Sequence, residues 1–294
     1  MTAPRIDPDL AALLGRVWPR LPAGAARAEA MGFAWAAVST PFVRREGRRV
    51  VGHVGVIELP LVMSGRPVAV GSIHAVCTDS ERRGRGLGRA LMEEALAACA
   101  GRYGTLVLTT AIPEFYVKFG FRPVREHAFT RALPPRSGAM RPGGRVLTER
   151  PEDLQLLRRL LAARAPVSER LGSLEDGTVF VVALLLTWGD FSRVHYHAAL
   201  DVLTVHEVRD RTLVLYDVVG AAIPPLGALA DAIGADADRI MTFFHPDRLG
   251  EGFVAEPLDA ALAVAHDDWF TGLMARGPLA VEGGPLILPP LTRT

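Results

Sequence analysis

Arg83-Gly84-Arg85-Gly86-Leu87-Gly88 lies between a β-rich stretch, Pro67 to Thr78, and a run whose apolar residues Leu87, Leu91, Met92, Ala95, Leu96 and Cys99 return with helical period. A glycine loop handed from strand to helix in this way suits an anion. Backbone N–H groups converge on a phosphate only where no side chain blocks the approach, and a helix N-terminus adds a favourable dipole. Gly84, Gly86 and Gly88 leave that space, while Arg83, Arg85 and Arg89 add charge suited to a diphosphate and a further phosphate. A dinucleotide fingerprint starting at Gly84 would need glycine where Arg89 stands, and a P-loop would need Gly-Lys-Ser or Gly-Lys-Thr. Taken alone, the loop also reads as a flexible basic turn without a ligand.

Before the loop, Leu10, Leu13, Leu14 and Val17 place a helix over Pro8 to Trp18, with Asp7 or Asp9 as its cap. A second helix is predicted over Ala25 to Ala30. Strands follow at Ala37–Arg45, Arg49–Leu61 and Pro67–Thr78, separated by turns at Glu46-Gly47 and Ser64-Gly65-Arg66. After the helix, which Gly101 or Gly104 ends, come a strand at Thr105–Thr110, a short helix at Pro113–Phe119 and a last strand at Arg122–Arg131.

About thirty residues beyond the loop stands Pro113-Glu114-Phe115-Tyr116-Val117-Lys118-Phe119-Gly120-Phe121. The stretch from Ala75 to Leu91, which reads AVCTDSERRGRGLGRAL, resembles motif A of the GNAT acetyltransferase superfamily. The Phe-Tyr-x-Lys-Phe-Gly-Phe segment resembles its motif B, in matching order and spacing. The resemblance covers residues 8–131. It implies an α/β (α+β) chain with the GNAT fold, a mixed and mostly antiparallel sheet flanked by helices, and acetyl-CoA as co-substrate in direct transfer to an amine.

By that resemblance, Val76, Cys77 and Thr78 would run beside the pantetheine arm, and the amides of Arg83, Gly84, Arg85, Gly86, Leu87, Gly88 and Arg89 would hold the pyrophosphate. Tyr116 would protonate the departing thiolate, although it also reads as a plain core aromatic. Many family members carry Asn after the preceding strand, where this chain has Thr109, Thr110 and Ala111. Amide formation from a thioester needs a neutral amine, and so calls for a general base. His74 comes first, two residues from Val76 on one strand face and with an ordinary pKa of about 6.5. Glu58 comes second. A strand histidine paired to backbone is the competing reading of His74.

Residues Ala132 to Gly144 hold three Pro and three Gly, the composition of a linker. The expected division is therefore 1–135 as the acetyltransferase domain, 136–146 as linker and 147–294 as a degenerate GNAT-like α/β domain. In this second half the pattern predicts a helix at Glu152–Ala163, a strand at Thr178–Thr187 and a hairpin at Val202–Val208 and Thr212–Val219. A helix at Leu226–Ile233, a strand at Ile240–Phe244, a β pair between Ala261 and Leu279, and a surface tail at Pro285–Thr294 follow. Strand, turn, helix and strand recur as Val68–Thr110 and Thr212–Phe244. The loop Gly220-Ala221-Ala222-Ile223-Pro224-Pro225 lacks alternating glycines and Arg, and proline removes donors. This half is expected to bind no CoA and to wall the acceptor pocket.

Across 294 residues, 49% are hydrophobic and 22% charged, the composition of an ordered globular protein. No apolar run approaches the roughly 20 residues of a membrane span, and the start carries no secretory pattern, so a cytoplasmic address is expected. Residues 1–135 hold 18 Lys and Arg against 11 Asp and Glu, and residues 136–294 hold 15 against 21. A basic half suits a nucleotide cofactor or a nucleic acid, but aromatics are not interleaved with its charges, so nucleic acid is not expected. Cys77 and Cys99 lack the spacing of a disulfide framework or zinc site. His195-Tyr196-His197 puts two imidazoles on one strand face without a third ligand, so no metal is expected. Asp267-Asp268 could line an amine pocket, although adjacent carboxylates more often lie on solvated loops. The reading is an N-acetyltransferase acting on a small amine, as monomer or homodimer, with a catalytically inactive acyl-CoA-binding or sensing module as the alternative.

Overall fold

The computed structural model describes residues 5–134, 143–174, 177–258, 272–281 and 283–294. The chain opens with α1 (Pro8–Val17), capped by the Asp7 carboxylate, which accepts from the amides of Asp9 and Leu10. Next come α2 (Arg20–Ala30) and the single turn α3 (Trp35–Val38). The second helix begins earlier than the sequence pattern indicates, since Pro22 is tolerated in a first turn where its missing N–H has no partner to lose.

A meander of β1 (Ser39–Glu46), β2 (Arg49–Met63) and β3 (Arg66–Thr78) leads into α4 (Leu87–Cys99) and β4 (Leu106–Thr110). Then follow α5 (Pro113–Val117), β5 (Arg122–Pro123) and β6 (His127–Ala132). The second half comprises β7 (Arg145–Val146), α6 (Pro151–Ala162), β8 (Leu171–Ser173), α7 (Thr178–Thr187), β9 (Val194–His197), β10 (Val202–Arg209) and β11 (Thr212–Val219). It ends with α8 (Leu226–Ile233), β12 (Arg239–Thr242), β13 (Val254–Pro257) and β14 (Gly272–Arg276).

These strands build two seven-stranded sheets. The first runs β1-β2-β3-β4-β14-β5, with β8 paired to the end of β2; the second runs β13-β6-β12-β11-β10-β9-β7. Within them, β3/β4 and β11/β12 are parallel, each pair joined through a helix, and the other pairings are antiparallel. The fold class is therefore mixed α/β with two mostly antiparallel sheets.

The sheets do not follow the expected division at residues 136–146. The predicted strand Arg122–Arg131 divides: β5 stays in the first sheet, whereas β6 pairs with β12 and β13 of the second. In the other direction, β14 inserts between β4 and β5, and β8 pairs with Leu61–Met63. Register between segments so distant in sequence leaves no local trace. The expected β pair between 261 and 279 yields β14; residues 259–271, Asp267 and Asp268 among them, lie outside the described residues.

Thr178–Thr187, predicted as a strand, is the helix α7. It is apolar around its whole circumference, with Val179, Phe180, Val181, Val182, Leu184 and Leu185 buried. A helix buried on all sides shows no amphipathic period, and its β-branched residues mimic a central strand. It packs against α2 and α3, in a core that joins Ile57, Leu59 and Val107 to Val205, Val214 and Phe243.

The predicted surface tail is also buried: Leu286, Ile287, Leu288 and Leu291 are at most 3% exposed. Glu126 anchors it, accepting from the Leu288 amide at 2.9 Å and from Arg293 Nη2 at 2.6 Å. Among the described residues, no helix is long and apolar enough to cross a membrane.

Candidate active site

The site begins with an irregularity in β3. Its pairing with β2 shifts register between His53↔Cys77 and Gly55↔His74, so β3 carries one residue more than β2 there. Ala75 takes up the excess with φ of +47°, a backbone conformation that costs a non-glycine residue about 1–3 kcal/mol. His53, buried on β2, approaches the Ala75 carbonyl with Nδ1 at 2.8 Å and holds the bulge. Burial pushes the His53 pKa down, against the opposing pull of that hydrogen bond. Sequence reading passed over His53, because a bulge-holding histidine has no motif.

Beyond the bulge the sheet opens. Parallel pairing of β3 with β4 is confined to Gly71↔Leu106 and Ser72↔Val107, after which the strands diverge. The wedge between them is a cavity of about 760 Å³, lined on one side by Ile73 to Val76 and on the other by Thr109 to Ile112. Segments remote in sequence close it: Trp18 to Leu21, Trp35, the α7 residues Val182, Ala183 and Leu186, and the end of the chain at Arg293 and Thr294. Thr294 Oγ1 meets the buried Ser72 hydroxyl at 2.6 Å, pinning that end against β3.

At the outer end of β3 stands the glycine loop. Asp79, 3% exposed, takes Arg16 Nη2 at 2.9 Å and Arg49 Nη2 at 2.7 Å on one carboxylate oxygen, and its other oxygen accepts the Glu81 amide at 3.2 Å. Burial alone would raise the Asp79 pKa; those hydrogen bonds outweigh it and hold the carboxylate ionised. Gly84 and Gly86 both have φ of +76°, which explains glycine at each. Gly86 is the N-cap of α4 without any side-chain cap, so the first-turn amides of α4 have no acceptor within the helix. At Gly88 the demand is spatial: a Cβ there would stand 3.3 Å from Thr78 Oγ1. Arg83 and Arg85 flank the turn, while Arg89 pairs with Glu93 one turn along.

Tyr116, on α5, lines the cavity and is 6% exposed. Burial pushes its hydroxyl up to about 12, opposed by a hydrogen bond with the Thr110 side chain. It is a neutral phenol throughout the physiological range. Val76 lines the same cavity. The Cys77 side chain instead packs with Leu13, Leu14 and Val50 under α1, and burial pushes the thiol up to about 12, so it is no nucleophile. Thr78 closes β3 against Gly52.

Neither predicted base fits that role. His74 does line the cavity, but its Nε2 is tied to Ser39 Oγ at 2.9 Å and its ring meets Trp35 edge-on at 5.0 Å. Complete burial, with the nearby His53, depresses it to about 3, so it takes up no proton near neutral pH. The bulge at Ala75 also breaks the simple alternation that had put His74 and Val76 on one face. Glu58 is farther away: it is exposed, bound by Arg102 Nη2 and the Tyr103 hydroxyl at 3.1 Å each, and takes no part in the cavity wall. It sits opposite Gly71, where β3 and β4 are still paired.

The second sheet repeats the bulge. The β10–β11 register shifts between Val205↔Asp217 and His206↔Leu215, leaving Tyr216 unmatched just before β11 meets the loop to α8. Here the space beside the bulge is filled. Tyr216 stacks on Phe243 at 5.5 Å and donates to Glu207 at 2.6 Å, and Arg164 reaches the buried Asp217 at 3.1 Å. Pro225 caps α8 with no side-chain hydrogen bond. His195 and His197 lie beside His206, with Thr204 Oγ1 at 2.8 Å from both His197 Nε2 and His206 Nδ1. Among the described residues, no three His, Cys, Asp or Glu are grouped so as to hold a metal ion.

Residues 26–124 match the family described as Acetyltransferase (GNAT) domain. No match was found among curated proteins. Among solved structures, the fold is similar to that of a conserved protein of unknown function from Enterococcus faecalis V583, a probable N-acyltransferase. The two are 15% identical over 93% of this chain and 70% of the other, with a TM-score of 0.55. A GCN5-related N-acetyltransferase from Anabaena variabilis ATCC 29413 is similar at 14% identity over 91% and 69% of the two chains, with a TM-score of 0.50. The glycine loop, the split strands and Tyr116 all fall within residues 26–124, the segment that matches the acetyltransferase (GNAT) domain.

Proposed function

We propose that this protein is an acetyl-CoA-dependent N-acetyltransferase that transfers an acetyl group to a primary amine of a small molecule by direct attack. The observation that carries the reading is the wedge between β3 and β4, lined by Val76 and Tyr116, at the end of β3 that leads through the glycine loop to the open N-terminus of α4. The residues present fit the donor. Amides of residues 83–89 would hold a pyrophosphate, and the backbone of Val76 and Thr78, beyond the last β3/β4 pair, would hold an extended amide-bearing arm. Bound acetyl-CoA supplies an acyl carbon activated as a thioester.

The chain's own groups then divide the remaining work. Tyr116 is placed to donate a hydrogen bond, and finally its proton, to the sulfur as negative charge develops there. A phenol near 12 gives up its proton reluctantly to a thiolate with an ordinary pKa of about 8.5, so donation accompanies bond breaking and does not precede it. The apolar walls exclude water and favour the neutral amine over the ammonium ion, and the amine proton leaves to solvent.

The test is calorimetric titration with acetyl-CoA, followed by thiol release with a panel of primary amines. Binding followed by thiol release coupled to N-acetyl product supports the reading. Binding without product for any amine would instead support an idle acyl-CoA-binding module, which keeps Gly86 and Gly88 but does not depend on Tyr116.

A further inference from the structure

The peptide that joins Ala75 to Val76 is oriented by a side chain and not by the sheet. Between the pairs His53↔Cys77 and Gly55↔His74, Ala75 and Val76 together face Val54, so ladder pairing leaves that peptide unassigned. The neighbouring ladder still sets a direction for it. The Asp79 amide donates to the Val51 carbonyl at 2.9 Å, and polar groups alternate along an antiparallel strand. The amides of Cys77 and Asp79 therefore face β2, and that of Val76 faces the opposite side. On that side β4 pairs with Gly71 and Ser72, and among the described residues no strand pairs with β3 past them. The Val76 N–H is thereby turned toward the wedge, whose wall Ala75 and Val76 help to form.

His53 holds it there. A trans peptide has its C=O and the following N–H on opposite sides, so fixing the Ala75 carbonyl fixes the Val76 amide. His53 Nδ1 lies 2.8 Å from that carbonyl oxygen. A carbonyl only accepts, so Nδ1 carries the hydrogen. The ring is 2% exposed and closely packed: His74 lies across Gly55, where a Cβ would collide with it, and the two imidazole centroids are 6.1 Å apart. The positive φ of Ala75 makes such a restraint necessary, since that backbone conformation is unfavourable for alanine and relaxes unless its surroundings hold it.

We propose that His53 is a positioning residue for acyl transfer: by holding the Ala75 carbonyl it directs the Val76 N–H at the thioester carbonyl oxygen of the donor in the wedge. This rests on the acetyltransferase reading. As the amine nitrogen bonds to the acyl carbon, the C=O electron pair moves onto oxygen, and the Val76 N–H meets that charge. The C=O bond re-forms as the C–S bond breaks. The sulfur takes the Tyr116 proton, and the proton lost from nitrogen restores the phenol through solvent.

The experiment compares the full chain with His53→Asn, His53→Gln and His53→Leu. An asparagine amide nitrogen falls where Nδ1 stands and a glutamine one where Nε2 stands, so both are polar but only the first reaches the Ala75 oxygen. Thiol release with a panel of primary amines gives kcat, and calorimetry gives acetyl-CoA affinity. Infrared difference spectra of bound acetyl-CoA, isotopically labelled at the acyl carbonyl, give its stretching frequency. His53→Leu and His53→Gln are each expected to lose about 10²-fold in kcat, the cost of a misplacement of about 1 Å, with affinity within about threefold of native. Their carbonyl stretch is expected at higher frequency than in the native complex, because the oxygen loses its donor. His53→Asn is expected to recover most of kcat and the native frequency. Native kcat in His53→Gln, an affinity loss as large as the kcat loss, or no recovery in His53→Asn overturns the proposal. If His53→Leu does not fold, the contrast between His53→Asn and His53→Gln decides alone. A native chain that binds acetyl-CoA but acetylates no amine would instead overturn the acetyltransferase reading, while the infrared shift still decides whether His53 directs the Val76 N–H.

Discussion

In the proposed reaction Tyr116 is the group that donates to the sulfur, and burial, which pushes its hydroxyl up to about 12, keeps it a donor and not a base. Tyr116→Phe is expected to lower kcat by about 10²-fold or more, the usual contribution of a positioned acid, with little change in acetyl-CoA affinity; stopped assays and calorimetry measure the two separately. A second expectation concerns His74. Because its folded-state pKa lies far below 6.5, the pH profile of kcat/KM should show no inflection near 6.5 and should rise toward the pKa of the acceptor amine. An inflection near 6.5 that disappears in His74→Gln would restore the histidine as base.

Tyr116 and the loop glycines stand out in the sequence through local spacing and through backbone conformations that glycine alone adopts cheaply, and the structure has Tyr116 in the cavity wall and Gly84 and Gly86 at positive φ. A base is defined instead by solvation and by neighbours, which the sequence does not carry for His74 and Glu58. Ser39, Trp35 and His53 surround the first, and Arg102 and Tyr103 occupy the second.

At the scale of elements, the bulge in β3 and the helix α7 make the cavity. Gly86→Ala would force a side chain into the left-handed region at the N-cap of α4, at a cost of about 1 kcal/mol, and is expected to weaken CoA binding several-fold, as calorimetry would show. Leu184→Ala on α7 removes a fully buried side chain and is expected to cost about 2–5 kcal/mol in urea unfolding. A loss below 1 kcal/mol would show that α7 is not the packed centre described above. The amphipathic helix α4 was readable from its stripe of Leu91, Met92 and Ala95. A ten-residue helix with no polar face offers no such stripe, so its type emerges only from its packing in the shared core, against α2, α3 and the end of the chain.

At the scale of the molecule, strands cross between the halves in both directions. Residues 1–135 lack β14, which separates β4 from β5, and lack the α7 wall of the cavity. That fragment is expected to show no cooperative unfolding transition and no CoA binding. The buried imidazoles tie the whole fold to pH. His53, His74, His197 and His206 all have folded-state pKa values lowered by desolvation, His206 to about 3. The stabilising neutral state is fully present above the unfolded value of about 6.5 and is lost as pH falls toward the folded value. For His206 the loss between pH 6.5 and 4.5 is about 2–3 kcal/mol, and Tm is expected to fall steadily over that window. The composition announced a folded globular chain, and the motifs announced one acetyltransferase domain. The interleaving of the two sheets rests on β6, β8 and β14, short strands whose partners lie far away in sequence.

The most direct test of the central claim, that the split between β3 and β4 is an acetyl-transfer site, is CoA thiol release from acetyl-CoA with a panel of primary amines, comparing the native chain with Tyr116→Phe. The expected result is turnover by the native chain, a loss of about 10²-fold in the variant and equal acetyl-CoA affinity in both. Native-level turnover by Tyr116→Phe, or a native chain that does not bind acetyl-CoA, would contradict it.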